Sequence, residues 1–211
     1  MIKKILAFAV CISLSFLAFT SCESDDEITN TPPEAMLTQK AQDIFVGDIV
    51  LSTRATMNSV DKTLLPSGCP TKFNFSWRED GRMVIGLTDF QVGKMPLQIN
   101  FRCACKFMNL NSWEKDEYKG DGWIKFLGKD GKVTSVDSDT SDTQSGSGAT
   151  VQGYLNVYTM ETEFIINYNM MNVRTETFLQ KIDKDRVKNF DAEFAQYEAD
   201  LQKWKEEHGL N

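Results

Sequence analysis

The chain has 211 residues, 41% of them hydrophobic, with 23 Lys and Arg against 30 Asp and Glu and a formal net charge of −7. That acidic balance excludes a nucleic-acid partner, which would require a basic stripe able to release phosphate counterions. The densest basic group, Lys181, Lys184, Arg186 and Lys188, is interleaved with acids and reads as a solvated helix face.

The N-terminal residues have the order of an export signal: Lys3 and Lys4, an uncharged run from Ile5 to Phe19, then small residues before Cys22. An uncharged run of about 15 residues is short of the roughly 20 that span a bilayer as a helix, so cleavage is expected rather than anchoring. Small residues followed directly by Cys22 resemble the lipobox of bacterial lipoproteins, in the relaxed form found in Bacteroidetes. The cluster Glu23-Ser24-Asp25-Asp26-Glu27 resembles the serine-plus-acidic signal that sends lipoproteins of that group to the cell surface. These resemblances imply a signal peptide over 1–21, an acyl anchor on Cys22, and residence at the outer membrane, facing the cell exterior or, alternatively, the periplasm. A plain secretory signal with a chance cysteine is the competing reading. Cleavage removes two lysines and no acid, so the net charge falls from −7 to −9.

Residues 22–33 read as an acidic flexible tether ending in Thr31-Pro32-Pro33, and 34–211 as a single β-rich domain. A short helix is expected over 33–42. From Val46 the period changes to two, with Ile49, Leu51, Thr53, Ala55 and Met57 on one face of a strand. Phe73, Phe75 and Trp77 alternate with polar residues and turn through Glu79-Asp80-Gly81 into Met83, Ile85 and Leu87, a hairpin. The clearest alternation is Leu97, Ile99, Phe101, Cys103, Cys105 and Phe107, with Gln98, Asn100, Arg102 and Lys106 on the wet face.

Residues 123–127 and 132–136 are expected to form a further hairpin across Lys129-Asp130-Gly131, and 137–149, polar and glycine-rich, a mobile loop. Strands over 151–158, 162–171 and 173–179 follow, with connections too short for anything but antiparallel neighbours. A helix over about 185–207 ends the chain. Its stripe of Val187, Phe190, Phe194, Tyr197, Leu201, Trp204 and His208 is expected to pack on the sheet in a monomer, the alternative being a homodimeric helix pair. The fold class is therefore mainly β, an antiparallel up-and-down barrel or strongly curved sheet with a short N-terminal and a long C-terminal helix.

Candidate chemistry is sparse. The single histidine, His208, is the fourth residue from the end, where a helix terminus frays, so Ser-His-Asp and Cys-His schemes are poorly served. Zinc lacks ligands, since Cys103-x-Cys105 has no second pair. Those two and Cys69 are either small buried hydrophobes or, in an oxidising compartment, a Cys69 bridge to Cys103 or Cys105. Carboxylate pairs among Glu114, Asp116, Glu117, Glu161 and Glu163 could serve glycoside hydrolysis only if space brings two together. Asp137, Asp139 and Asp142 lack the pattern of a calcium loop. Aromatics remain: Trp77, Trp123, Tyr154 and Tyr158, with Trp113, Tyr118 and Tyr168, could line a barrel or stack on sugars.

An acidic-tagged lipoprotein with an antiparallel meander and a terminal helix resembles Bacteroidetes surface lipoproteins of unknown function with calycin-like, lipocalin-related barrels. The lipocalin Gly-x-Trp signature is replaced by Phe45-Val46-Gly47-Asp48, so no ligand residues carry over. The expectation is a membrane-tethered, non-catalytic binding protein without cofactor, for a small apolar molecule or a glycan. The alternative is an interaction lipoprotein docking a protein partner.

Overall fold

The protein is described by a computed structural model covering residues 32–93 and 95–210. The expected signal peptide, the expected lipidation site Cys22 and the acidic residues Glu23, Ser24, Asp25, Asp26 and Glu27 lie outside the described residues, as does most of the expected tether.

Helix α1 (Pro32–Ile44) precedes β1 (Gly47–Met57), the short β2 (Val60–Asp61), β3 (Cys69–Trp77), β4 (Met83–Phe90) and β5 (Leu97–Met108). Helix α2 (Ser112–Glu117) then leads to β6 (Trp123–Asp137), β7 (Thr143–Asn156), β8 (Glu161–Asn167), β9 (Val173–Thr177) and the short β10 (Gln180–Lys181). A 3₁₀ turn (Lys184–Asn189) runs into the terminal helix α3 (Phe190–Glu207).

Each long strand pairs antiparallel with the next, and β1 closes the ring. Its first half pairs with β3 from Gly47 to Thr53, its second half with β9 from Thr53 to Met57. The result is an antiparallel eight-stranded closed barrel, with β2 and β10 as two-residue additions at its rims.

Alternation decides which residues enter the barrel. In β5, Leu97, Ile99, Phe101, Cys103, Cys105 and Phe107 are all buried, as their period of two requires. An eight-stranded barrel has an interior just wide enough for side chains to fill it or to hold one small ligand. Here aromatic rings fill it. Phe45, delivered by the end of α1, stacks on Phe75 at 4.5 Å and meets Phe126 edge-on at 5.6 Å. Phe164 packs edge-on against Phe73 at 5.0 Å and Phe126 at 5.9 Å, and Tyr168 against Phe101 at 5.4 Å. Gly153 makes this possible: a Cβ there would come within 2.3 Å of both Phe126 and Phe164.

The helices finish the two halves of the burial. Trp77 donates its indole N–H to the Phe45 carbonyl at 2.7 Å and stacks on Phe107, which ties the α1 end to the barrel. On α3 the expected stripe packs on the barrel, with Tyr197 and Leu201 buried and Phe190, Phe194 and Trp204 half-buried. The Tyr197 hydroxyl donates to the Thr63 carbonyl at 3.0 Å, and the Lys72 ammonium sits 4.7 Å from the centre of the Phe190 ring.

Two expectations are corrected. The segments 123–127 and 132–136 are not a hairpin but parts of one strand, β6, and Lys129-Asp130-Gly131 is a bulge where the pairing register shifts on both sides. Asp130 takes a left-handed φ of 61° there. Strands of 15 and 14 residues cannot wrap a closed barrel without bending, and a bulge bends them. Nor is 137–149 a loop throughout. Strand β7 starts at Thr143, and Gln144, Ser145 and Gly146 pair with Ser135, Thr134 and Val133. Backbone ladders need no apolar side chains, so an exposed hairpin arm can be wholly polar.

Phe45→Ala removes one stacked and one edge-on contact from a packed interior. It should cost about 3–5 kcal/mol in urea unfolding, seen as a lower midpoint at unchanged slope.

Candidate functional site

The aromatics singled out from the sequence do not form one site. Trp77 belongs to the barrel interior. Trp123 and Tyr154 are brought together on the outer face by Tyr118, whose ring is 4.9 Å from Trp123 and stacks on Tyr154 at 4.1 Å. Tyr158 is separate, 55% exposed, with the Lys40 ammonium 4.3 Å from its ring centre.

The Tyr118 group is held by a carboxylate that nothing in the sequence distinguished from its acidic neighbours. Glu114 caps α2 in a reciprocal box with Asn111: the Asn111 backbone N–H donates to its carboxylate at 2.9 Å, and its own N–H donates to the Asn111 side chain at 2.9 Å. The same carboxylate accepts from the Lys125 ammonium at 2.5 Å and from the Tyr154 hydroxyl at 2.8 Å, while Tyr118 donates to Glu163. Burial pushes the Glu114 carboxyl up, but the bonds from Lys125, Asn111 and Tyr154 outweigh it and hold the group below the ordinary carboxylate range. Burial and the bond to Glu114 push the Tyr154 hydroxyl up to about 12. Burial, followed by the bond to Glu163, raises Tyr118 well above its ordinary value. Both phenols therefore stay neutral donors. The arrangement clamps α2 to the barrel and leaves Glu114 ionised and occupied, whereas a general acid at neutral pH needs a raised pKa.

The remaining candidates separate. Asp137 accepts from the backbone N–H groups of Asp139 and Thr140, both at 2.9 Å, and shapes the β6–β7 turn. Among the described residues no group of three or more His, Cys, Asp or Glu could hold a metal ion. His208 stacks on Trp204 at 4.1 Å at the exposed end of α3. The Cys69 bridge to Cys103 or Cys105 is not formed; all three are free and buried. Register explains this. Cys103 aligns through Ile85 with Phe75, six residues along β3 from Cys69, a displacement of about 20 Å, where a disulfide spans roughly 5.5–6 Å between Cα atoms. Burial raises the Cys69 thiol to about 12. Cys103 and Cys105 occupy the space beside Gly128, where a Cβ would lie 2.6 and 2.8 Å from their sulfurs.

A different surface gathers unspent polar chemistry. Across the outside of the barrel, Asp48, Asn74, Gly86, Arg102 and Lys132 stand opposite one another on five successive strands. Asn74, Gly86, Arg102 and Lys132 form the centre of a trough of about 330 Å³ that Asn100, Thr88 and Thr134 also line, and Asp48 lies in an adjoining groove. Beyond Asn74 and Thr88 the trough continues into a groove of about 560 Å³ between the β3–β4 outer face and Phe190 and Phe194 of α3. Asn100 and Arg102 were legible as the wet face of β5. Their meeting with Lys132, Asn74 and Gly86 depends on register, for which one strand's pattern carries no signal.

These features define a small closed antiparallel barrel with a ring-packed interior and, among the described residues, concave, chemically mixed surfaces on its outside. The chain belongs to the family described as domain of unknown function DUF4903, which matches residues 22–209. No curated protein and no solved structure matches it significantly.

For a carboxylate with a depressed pKa, the stabilisation is present above its unfolded pKa and is lost as pH falls through the folded value. Glu114→Gln should therefore cost about 1.5–3 kcal/mol near pH 7, because it leaves Lys125 without its partner. The gap to wild type should close as pH drops below the folded Glu114 value, as measured by denaturant unfolding across pH.

Proposed function

We propose that the protein is a lipid-anchored, non-catalytic binding module, exposed at the outer membrane, that takes a glycan on the outer face of its barrel. The observation that carries this reading is the occupied interior. A small apolar guest would have to displace Phe45, Phe73, Phe75, Phe126 and Phe164, each no more than 2% exposed and locked ring against ring. The outer trough instead offers amides, hydroxyls and cations beside the half-buried rings of Phe190 and Phe194, a combination suited to sugar hydroxyls and sugar faces. The eight-stranded closure supports a calycin-like relationship; the filled interior sets this chain apart from barrels that carry a ligand inside.

The tether reading rests on the leader, Cys22 and the acidic cluster, and the family match beginning at Cys22 supports it. Several acyl chains, at ~0.8 kcal/mol per buried CH₂, make a stable anchor. Among the described residues no helix is long and apolar enough to cross a membrane. The protein works without a cofactor and as a monomer, since the α3 stripe is spent on its own barrel. A protein-docking role has one observation in its favour, Trp113, which stands 85% exposed on α2.

Cys22→Ser should move the protein from the membrane pellet to the soluble fraction, and labelled fatty acid should mark the wild type alone; an unlabelled wild type would end the anchor reading. For binding, the wild type should retain a polysaccharide on affinity electrophoresis and leave an apolar fluorescent probe unchanged. The reverse result would place the ligand inside the barrel.

A further inference from the structure

We infer that the glycan is an acidic polysaccharide, bound through its carboxylate or sulfate groups by Arg102 and Lys132 over the floor left open by Gly86. This deepens the outer-face reading and rests on it.

The first ground is an electrostatic arrangement with nothing to balance it. Arg102 and Lys132 are directly opposite on β5 and β6, both exposed, and among the described residues neither is paired with a carboxylate. Like charges directly opposite on neighbouring strands repel. The chain carries an excess of acids, yet none sits in the Arg102–Lys132 part of the row. An anion between the two cations would turn the repulsion into two charge-assisted hydrogen bonds.

The second ground is the orientation of the neutral groups. The Asn74 side-chain N–H donates to Asp48 at 2.8 Å, which leaves the Asn74 carbonyl oxygen as an acceptor. The Asn100 carbonyl oxygen accepts from the Asp89 backbone N–H at 3.0 Å, which leaves the Asn100 amide as a donor. An acceptor two strands from Arg102 across Gly86 and a donor two residues from it along β5, both held in place, match a sugar ring that carries hydroxyls as well as an acid. An inorganic anion would leave them unused.

The third ground is shape. Gly86 lies between Asn74 and Arg102 in the row and contributes no side chain, and the trough runs on into the α3 groove. A trough that adjoins a second groove gives a polymer room to extend beyond the two cations. The concave, recessed surface does not suit a flat lipid headgroup layer.

Gly86 also supplies a clean test. Its φ lies outside the left-handed region, and an added Cβ would find only ordinary contacts, 3.5 Å from the Asn74 carbonyl oxygen and 3.7 Å from its Cβ. Gly86→Val should therefore fold and fill the trough, and Arg102→Gln/Lys132→Gln should fold and discharge it. Calorimetric titrations of the wild type would use polygalacturonate, dextran sulfate, neutral dextran, and vesicles of neutral lipid containing phosphatidylglycerol. The expected result is binding to at least one acidic polymer, at least about tenfold weaker in either variant and weakened by salt, with dextran bound far less tightly. Dextran bound as tightly as the acidic polymers and lost in Gly86→Val would overturn the acidic inference while leaving the outer-face reading intact. Acidic-polymer binding unchanged in both variants would overturn the assignment to this trough. Binding to vesicles alone would overturn the polysaccharide, and wild-type binding to none of the polymers would overturn inference and reading together.

Discussion

The interlock of Phe45, Phe75, Phe126 and Phe164 around Gly153 is the constraint on which the rest of the structure depends. A barrel of eight strands leaves room for either a guest or its own side chains, and this chain has spent that room on rings within 4.5–6.3 Å of one another. One of those rings does not come from the barrel. Phe45 is carried in by α1 and held by the Trp77 indole on its carbonyl. The segment nearest the proposed membrane tether is therefore built into the core of the domain.

With the inside closed, chemistry is left to the outer surface, where two polar regions differ in kind. Around Glu114 every strong group already has a partner: an ammonium, the Asn111 backbone N–H and a phenol converge on one buried carboxylate, the Glu114 N–H is taken by the Asn111 side chain, and the product is a fixed helix. Arg102 and Lys132 stand side by side with no ion pair among the described residues, and the neighbouring amides are oriented but half-used. Fully satisfied networks rigidify. The net negative charge of the chain thus coexists with two adjacent cations, unpaired among the described residues, on one face.

How much of this the sequence disclosed follows the range of each interaction. The period-two runs from Ile49 to Met57 and from Leu97 to Phe107 announced their buried faces, because alternation is local. The stripe of α3 announced its packing for the same reason. Lys129-Asp130-Gly131 misled because a hairpin turn and a bulge ask for the same residues, a glycine and a neighbour tolerant of positive φ. Residues 137–149 misled because an exposed polar hairpin arm and a loop share a composition. The trough was out of reach: Asn74, Gly86, Arg102 and Lys132 are 58 positions apart from first to last and meet only through the registers of three strand pairs.

The central claim is that the barrel is filled and that recognition lies outside it. Nuclear magnetic resonance of the wild-type protein during titration with polygalacturonate or dextran sulfate tests it most directly, since amide and aromatic signals report the outer and inner faces separately. The account predicts that the signals of Asn74, Gly86, Asn100 and Arg102 shift with added polymer while the rings of Phe73, Phe126 and Phe164 hold still. Shifts concentrated on those inner rings, with the trough residues unmoved, would contradict it.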